Sequence, residues 1–279
     1  SVRNAKLWGS IIAHGNRYLM TPATNIHSTQ HGPLHRFSLP QLPVWHGFFS
    51  RQGGYSAPPY SSLNTAYRTD DPQAANNRTL LLETMGLVTQ PLRILSPSHQ
   101  DRIVFVEEAD WQQQPVEVLL ATDAALTRSA HGYFLLGTAD CIPLIITDQA
   151  ASFVGLVHLG WRNLVDNLAA KVVQAIDQHY GIPAATLMVG LGPAIHPCCY
   201  RFADPIQRQQ AFWQPYLQQQ ADGRYSIDLP QALQQQLRDI GIPQAHIGQI
   251  PYCTACHPEL FFSCYQEGYQ SGRFPTVTG

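Results

Sequence analysis

Residues 133–159 constrain this chain more than any other stretch. The apolar runs Tyr133 to Leu136, Leu144 to Ile146 and Phe153 to Val157 are short and closely spaced, so they read as buried strands. Between the first two lies Gly137-Thr138-Ala139-Asp140-Cys141, and the third leads into His158-Leu159-Gly160-Trp161-Arg162. A cysteine and a histidine at strand ends stand on a rigid frame, which keeps reactive side chains in register with one another. A second histidine, in Ser98-His99-Gln100, lies on the loop between the apolar runs Leu92 to Leu95 and Ile103 to Val106 and completes a His/Cys/His set.

Helical patterns flank this region. Asp71-Pro72 is a helix start, with a helix over residues 74–85 and Gly86 as its stop. Leu164, Leu168, Val172 and Ile176 recur at four-residue intervals, and Gly181 and Pro183 end that helix. Residues 187–191 form a further buried strand, and the strand, helix, strand alternation predicts an α/β fold around a mainly buried sheet. The glutamine-rich segment 207–236 keeps helical spacing at Phe212, Tyr216 and Leu217 and again at Leu229, Leu233 and Leu237, which predicts two surface helices. The first forty or so residues show no sustained period. His27, His31 and His35 would share one helical face, but Gly32-Pro33 breaks that helix, so the segment reads as a surface extension with incidental histidines.

With 279 residues, 44% hydrophobic and 13% charged, the chain can bury one large core or two modest ones. A formal net charge of −2 carries no electrostatic footprint for nucleic acid. Only Lys6 and Lys171 are lysines, and a preference for arginine favours forked contacts to phosphate or carboxylate. The six cysteines are unevenly placed for a disulfide scaffold, which fits a reduced, cytoplasmic setting. Residues 7–13 are too short an apolar run for a secretory leader, and no run approaches the ~18 residues of a membrane span. The sequence assigns no oligomeric state.

A catalytic zinc takes three protein ligands from histidine, cysteine and carboxylate and keeps a fourth position open. His99, Cys141 and His158 meet that count, although a buried cysteine with two incidental histidines would look the same by spacing alone. Residues 116–123 read as a strand ending in an acid, and Asp123 is either a turn or cap residue or one that orients a ligand or carries a proton. The loop from Ser50 to Asn64 holds paired glycines with Arg51 and Asn64, so it is either a ligand loop or a structural turn. Cys253-Thr254-Ala255-Cys256-His257 has the spacing of haem attachment or half a zinc site, but no partner CxxC exists to close it. Cys253 therefore reads as a pocket residue and Cys256 as incidental.

Taken together, Arg51-x-Gly53-Gly54-x-Ser56, Pro59-Tyr60-x-x-Leu63-Asn64, Asn77-Arg78, His99, Asp123, Thr138-Ala139-Asp140-Cys141-x-Pro143, His158-x-Gly160-Trp161-Arg162, Gly192-Pro193-Ala194-Ile195, Cys199-Tyr200, Cys253-Thr254, Phe262-Ser263 and Gly272-Arg273 resemble the YfiH/YlmD laccase-domain family. The resemblance implies a layered α/β/β/α single domain of the cysteine-hydrolase-like type over residues 44–279, after an extension over 1–43. It implies zinc, with copper as the alternative metal, on His99, Cys141 and His158. It also implies a purine nucleoside and phosphate as substrates, for phosphorolysis of adenosine, inosine, guanosine or methylthioadenosine and for adenosine deamination. Arg51 is the candidate phosphate contact, Arg78 and Arg162 are its helpers, Asn64 and Cys253 line the substrate site, and Asp123 or Asp140 moves protons. Other readings are a Cys141-dependent amidase acting on peptidoglycan precursors, a copper polyphenol oxidase and a non-catalytic metal binder. The oxidase is disfavoured because the chain has no His-x-His pair. The chain departs from the family pattern at Gln100, Leu159 and Asn163, and at Cys264-Tyr265-Gln266, where an arginine pair is expected.

Overall fold

The structure, a computed structural model, describes residues 25–279, so the apolar run at 7–13 and the first part of the 1–43 extension lie outside the described residues. The chain runs through β1 (His27–His31), β2 (Leu34–Ser38), β3 (His46–Phe49), α1 (Ala74–Thr84), β4 (Leu92–Ser96), β5 (Ile103–Phe105), α2 (Glu108–Trp111), β6 (Val116–Leu120), β7 (Ala124–Thr127) and β8 (Tyr133–Thr138). It continues through β9 (Ile142–Asp148), β10 (Val154–Leu159), α3 (Trp161–Val165), α4 (Leu168–Tyr180), β11 (Leu187–Leu191), β12 (Arg201–Phe202), β13 (Leu217–Gln219), β14 (Tyr225–Ile227), α5 (Leu229–Asp239), β15 (Ile247–Gln249), α6 (Cys264–Glu267) and β16 (Phe274–Thr278).

Two sheets form the body. One has seven strands in the order β1-β2-β3-β16-β8-β4-β6, the other six in the order β15-β11-β9-β10-β7-β5, and β12-β14-β13 make a small third sheet. Strand alternation explains why the two large sheets stack. Phe134 and Leu136 of β8 pack with Phe37, Phe48, Ile145 and Leu156 between the sheets, whereas Leu135 turns outward to Leu81 of α1. On the other side, Leu144 and Ile146 of β9 meet Leu168, Val172 and Ile176 of α4 and Leu233 and Leu237 of α5. Both faces of the central strands are covered, so they read as continuous apolar runs. The layering is α/β/β/α, as the resemblance implies.

Three local readings change. The Phe212 to Leu217 segment forms 3₁₀ turns leading into β13, because Pro215 inside it cannot donate to an α-helical ladder. The helix expected from Leu164 to Ile176 is two helices, separated at Asn167, which takes a left-handed φ of 52°. Strands β1 and β2, inside the segment read as an extension, form a hairpin that pairs with β3 at the sheet edge. Among the described residues no helix is long and apolar enough to cross a membrane.

One buried histidine makes the fold acid-sensitive. His46 Nε2 accepts the Leu39 N–H at 2.9 Å while Nδ1 bonds the Val44 carbonyl at 2.8 Å, an arrangement that requires the neutral ring. Burial, aided by the nearby Arg36 charge and against the bond to Val44, pushes its pKa down to about 4. Above the unfolded value both states are neutral. Below it the unfolded chain takes up a proton that the folded chain refuses, so stability falls as pH drops from about 6.5 toward 4, by about 3 kcal/mol in all. Urea unfolding at neutral pH and at pH near 4.5 should show that loss, and a His46→Gln protein should show a shallower dependence. An unchanged slope in that variant would assign the acid sensitivity elsewhere.

Candidate active site

Three times the chain passes from the seven-stranded to the six-stranded sheet: from β4 to β5, from β6 to β7 and from β8 to β9. Each passage carries a residue of the sequence-nominated set, respectively His99, Asp123 and Cys141. Each also contains a non-glycine residue at positive φ, namely His99 at 59°, Ala121 at 51° and Asp140 at 82°. Strained backbone of this kind persists only where its surroundings hold it. His158 arrives from β10, whose antiparallel register with β9 sets it opposite Pro143. Continuing that register by two residues brings Gly160 beside Cys141. The ligand atoms of His99, Cys141 and His158 all lie within 4.8 Å of one another.

Asp123 organises the group. Fully buried, it accepts at Oδ1 from His158 Nδ1 at 2.9 Å, the His99 amide at 3.1 Å and the Asn163 side-chain amide at 3.3 Å. Its Oδ2 accepts the Ser98 and Gln100 amides, both at 3.1 Å. Burial alone would raise its pKa, but the His158 bond and charge and those amides outweigh it and hold the carboxyl below its ordinary value. With its lone pairs so occupied, Asp123 fixes the His99 loop and the His158 ring.

The two histidines are driven apart. Burial opposes the charged form of His158, yet the Cys141 sulfur and Asp123 more than compensate and push its pKa up to about 9. Burial and the His158 charge push His99 down to about 4. His99 Nδ1 is buried with no hydrogen-bond partner. A side chain at position 160 would place its Cβ 2.6 Å from that nitrogen and 3.1 Å from Cys141 Sγ, so Gly160 leaves open the space that His99 and Cys141 share. An orphaned nitrogen, a thiol sulfur and the second nitrogen of an imidazole anchored by a carboxylate are, once deprotonated, a donor set suited to zinc, and the carboxylate–histidine pair is the usual outer support of such a ligand.

The other nominated residues divide. Arg51 bonds the Ser61 carbonyl through Nε and the Pro258 and Phe261 carbonyls through Nη1, which also pairs with Glu267 at 2.5 Å, and it stacks on Phe262, so Nε and Nη1 tie two loops together. Arg78 donates to the Thr65 and Ala66 carbonyls, and the buried Asn64 bonds Thr69, Asp71 and the Arg273 amide. These three brace the 50–66 loop. Arg162 is exposed, stacks over Trp161 at 4.6 Å and carries its charge close enough to depress His99. Asp140, placed beside Cys141, accepts the Thr254 hydroxyl at 2.6 Å and the Tyr265 amide at 2.7 Å. Cys253 does not stand alone, and Cys256 is not incidental: Cys198 and Cys199 converge on both.

Sequence reading passed over an aromatic shelf. Tyr200 lies 4.7 Å from Phe202 and 5.6 Å from Tyr265 between ring centroids, and Phe202 and Tyr265 are each 38% exposed. The Tyr265 amide donates to the Asp140 carboxylate at 2.7 Å, so the shelf adjoins the turn that carries Cys141. Tyr265 occupies the segment where the family pattern carries arginine.

The family model described as multi-copper polyphenol oxidoreductase laccase matches residues 45–279. The chain is similar to the purine nucleoside phosphorylase YlmD of Geobacillus stearothermophilus, with 29% identity across 84% of this chain and 89% of the relative. It is 28% identical to adenosine deaminase RL5 of an unknown prokaryotic organism, over 79% of this chain and 87% of that one. The crystal structure of the Bacillus licheniformis hypothetical protein YfiH superposes with a TM-score of 0.82 at 28% identity, covering 90% of this chain and 98% of the other.

Proposed function

The chain belongs to the multi-copper polyphenol oxidoreductase laccase family, and on that premise we propose that it is a zinc-dependent purine nucleoside enzyme, a phosphorylase with adenosine deaminase activity in the same pocket. The observation that carries this reading is the buried, unpartnered His99 Nδ1, which shares the space left by Gly160 with Cys141 Sγ in a residue set that converges with His158. Relatives named purine nucleoside phosphorylase and adenosine deaminase support the substrate class. Among the described residues, the groups of potential ligands that converge are this one and a four-cysteine set, neither of them the histidine-rich constellation of a multicopper centre.

His99, Cys141 and His158 would hold the metal, which when bound supplies Lewis acidity and activates water. Asp123 holds the His158 proton on Nδ1, so with the ring protonated at its raised pKa it is the Nε2 proton, on the Cys141 side, that metal binding would displace. In phosphorolysis the C1′–N9 bond breaks, a phosphate oxygen bonds C1′, and the departing base takes a proton. The phosphate contact is assigned to Arg162, whose fork is exposed and whose charge is felt at His99, because the Nε and Nη1 of Arg51 are held by loop carbonyls and Glu267. The shelf of Tyr200, Phe202 and Tyr265 offers the base a stacking surface. In this reading the domain spans 44–279, the β1–β2 hairpin of the preceding extension covers its sheet edge, and the free cysteines belong in the reduced cytoplasm.

The test is chromatography of adenosine and inosine incubated with the protein, with and without phosphate, beside a Cys141→Ala control. Phosphate-dependent release of free base, or conversion of adenosine to inosine, absent in the control, is expected. No product from folded, zinc-loaded protein would overturn the assignment.

A second reading has one observation behind it. Cys141, His158 and Asp123 form a line in which the carboxylate orients the imidazole and the imidazole faces the sulfur, as in a cysteine hydrolase. Amidase activity that survives chelation and dies on alkylation of Cys141 would favour it. The unpartnered His99 nitrogen has no part in such a triad, which is why the metal reading stands first.

A further inference from the structure

The chain carries a second thiol cluster that the reaction does not use. Strands β11 and β15 pair in parallel at the edge of the six-stranded sheet, with Leu191 opposite Gln249. The chains leaving them stay side by side through the Ala194–Cys253 bridge and the Thr254 N–H to Ala194 carbonyl bond at 3.0 Å. That pairing carries Cys198-Cys199 of one loop onto Cys253-x-x-Cys256 of the other, about fifty residues away in sequence. The four sulfurs lie within 4.8 Å of one another, with Cys256 3.4 Å from Cys198 and 3.3 Å from Cys199. Four thiolates bound tetrahedrally at ~2.3 Å from zinc stand about 3.8 Å apart, which these separations approach without rearrangement of the loops.

We propose that Cys198, Cys199, Cys253 and Cys256 form a structural zinc site, distinct from the His99/Cys141/His158 centre and independent of the reaction assigned to it. Binding is an exchange of thiol protons for Zn²⁺, with no change of oxidation state. The surroundings suit an anionic all-sulfur shell. The His196 amide donates to Cys253 Sγ at 3.4 Å, and Arg201 bonds the Cys198 carbonyl while its Nε is buried without a partner beside the cluster. The site would staple two loops that both support the catalytic turn: Thr254 donates to the Asp140 carboxylate and the Ile195 amide to the Asp140 carbonyl, next to Cys141.

Metal analysis and zinc-edge X-ray absorption on the full-length Cys141→Ala protein, purified under reducing conditions, test this directly. With the catalytic centre disabled, about one zinc per chain in a shell of about four sulfurs is expected. A Cys256→Ser change in the otherwise native protein should lower zinc from about two to about one per chain, and the absorption measurement does not depend on that variant folding. A metal-free Cys141→Ala protein, a shell containing nitrogen or oxygen, iron in place of zinc, or a Cys198–Cys256 disulfide in the reduced preparation would overturn the proposal.

Discussion

A Gly160→Ala protein is expected to fold normally and to lose its catalytic metal and about 100-fold or more of its turnover. Gly160 takes φ −85° and ψ 176°, a conformation open to any residue, so alanine introduces no backbone strain. As the residue capping α3 it makes no side-chain cap, and the cost to the helix is a few tenths to about 1 kcal/mol. The added methyl acts elsewhere. Placed 2.6 Å from His99 Nδ1, 2.9 Å from its Cε1 and 3.1 Å from Cys141 Sγ, it must displace the ring or the thiol, or occupy the position between them. Displacements near 1 Å in a catalytic constellation cost on the order of 100-fold. Circular dichroism, metal content and turnover separate the effects: an unchanged fold with the metal gone is the expected combination. Full metal and full activity in the alanine protein would show that the space above Gly160 is not where the three side chains meet.

How far the site could be read from the sequence depends on how local its causes are. Cys141 and His158 were legible because each follows or ends an unmistakable apolar strand, and His99 because its loop separates two more. That β8 and β9 belong to different sheets was not legible. Both are buried on two faces, and only the turn at 139–141, with Asp140 left-handed, takes the chain from one sheet to the other. Asp123 looked like an ordinary strand-end acid since the donors that saturate it come from residues 98–100, 158 and 163, all remote in sequence. Arg51 has the same difficulty in reverse: a glycine-rich loop advertises ligand binding, while the carbonyls and carboxylate that occupy its Nη1 lie some two hundred residues on. Asn163 shows what a departure from the family pattern can mean. Its amide holds the Gln100 carbonyl at 2.7 Å and its oxygen the Gly160 amide at 3.0 Å, so it braces the His99 loop instead of crowding the centre.

Asp123→Asn tests whether that carboxylate orients the centre, and its expected cost is the larger of the two: about 1000-fold or more in kcat, with metal affinity down roughly 10- to 100-fold. Asparagine keeps the size of aspartate but turns one acceptor into a donor, and neither orientation of the amide is tolerable. With nitrogen at the Oδ2 position it confronts the Ser98 and Gln100 amides, and the loop that carries His99 is released. With nitrogen at Oδ1 it confronts His158 Nδ1–H and the His99 amide. A neutral, metal-ligating imidazole could then satisfy itself only by keeping its proton on Nε2, the nitrogen that would hold the metal. Each choice disables one histidine. The same clash leaves buried donors unpaired, so a stability loss of about 2–4 kcal/mol should accompany it. Competition with a chelator measures the first effect and urea unfolding the second, while turnover at saturating zinc separates lost metal from a misoriented ring. If saturating zinc restores full kcat, Asp123 governs metal retention alone. If affinity, stability and kcat all stay at their original values, the buried carboxylate is not what holds His99 and His158 in place.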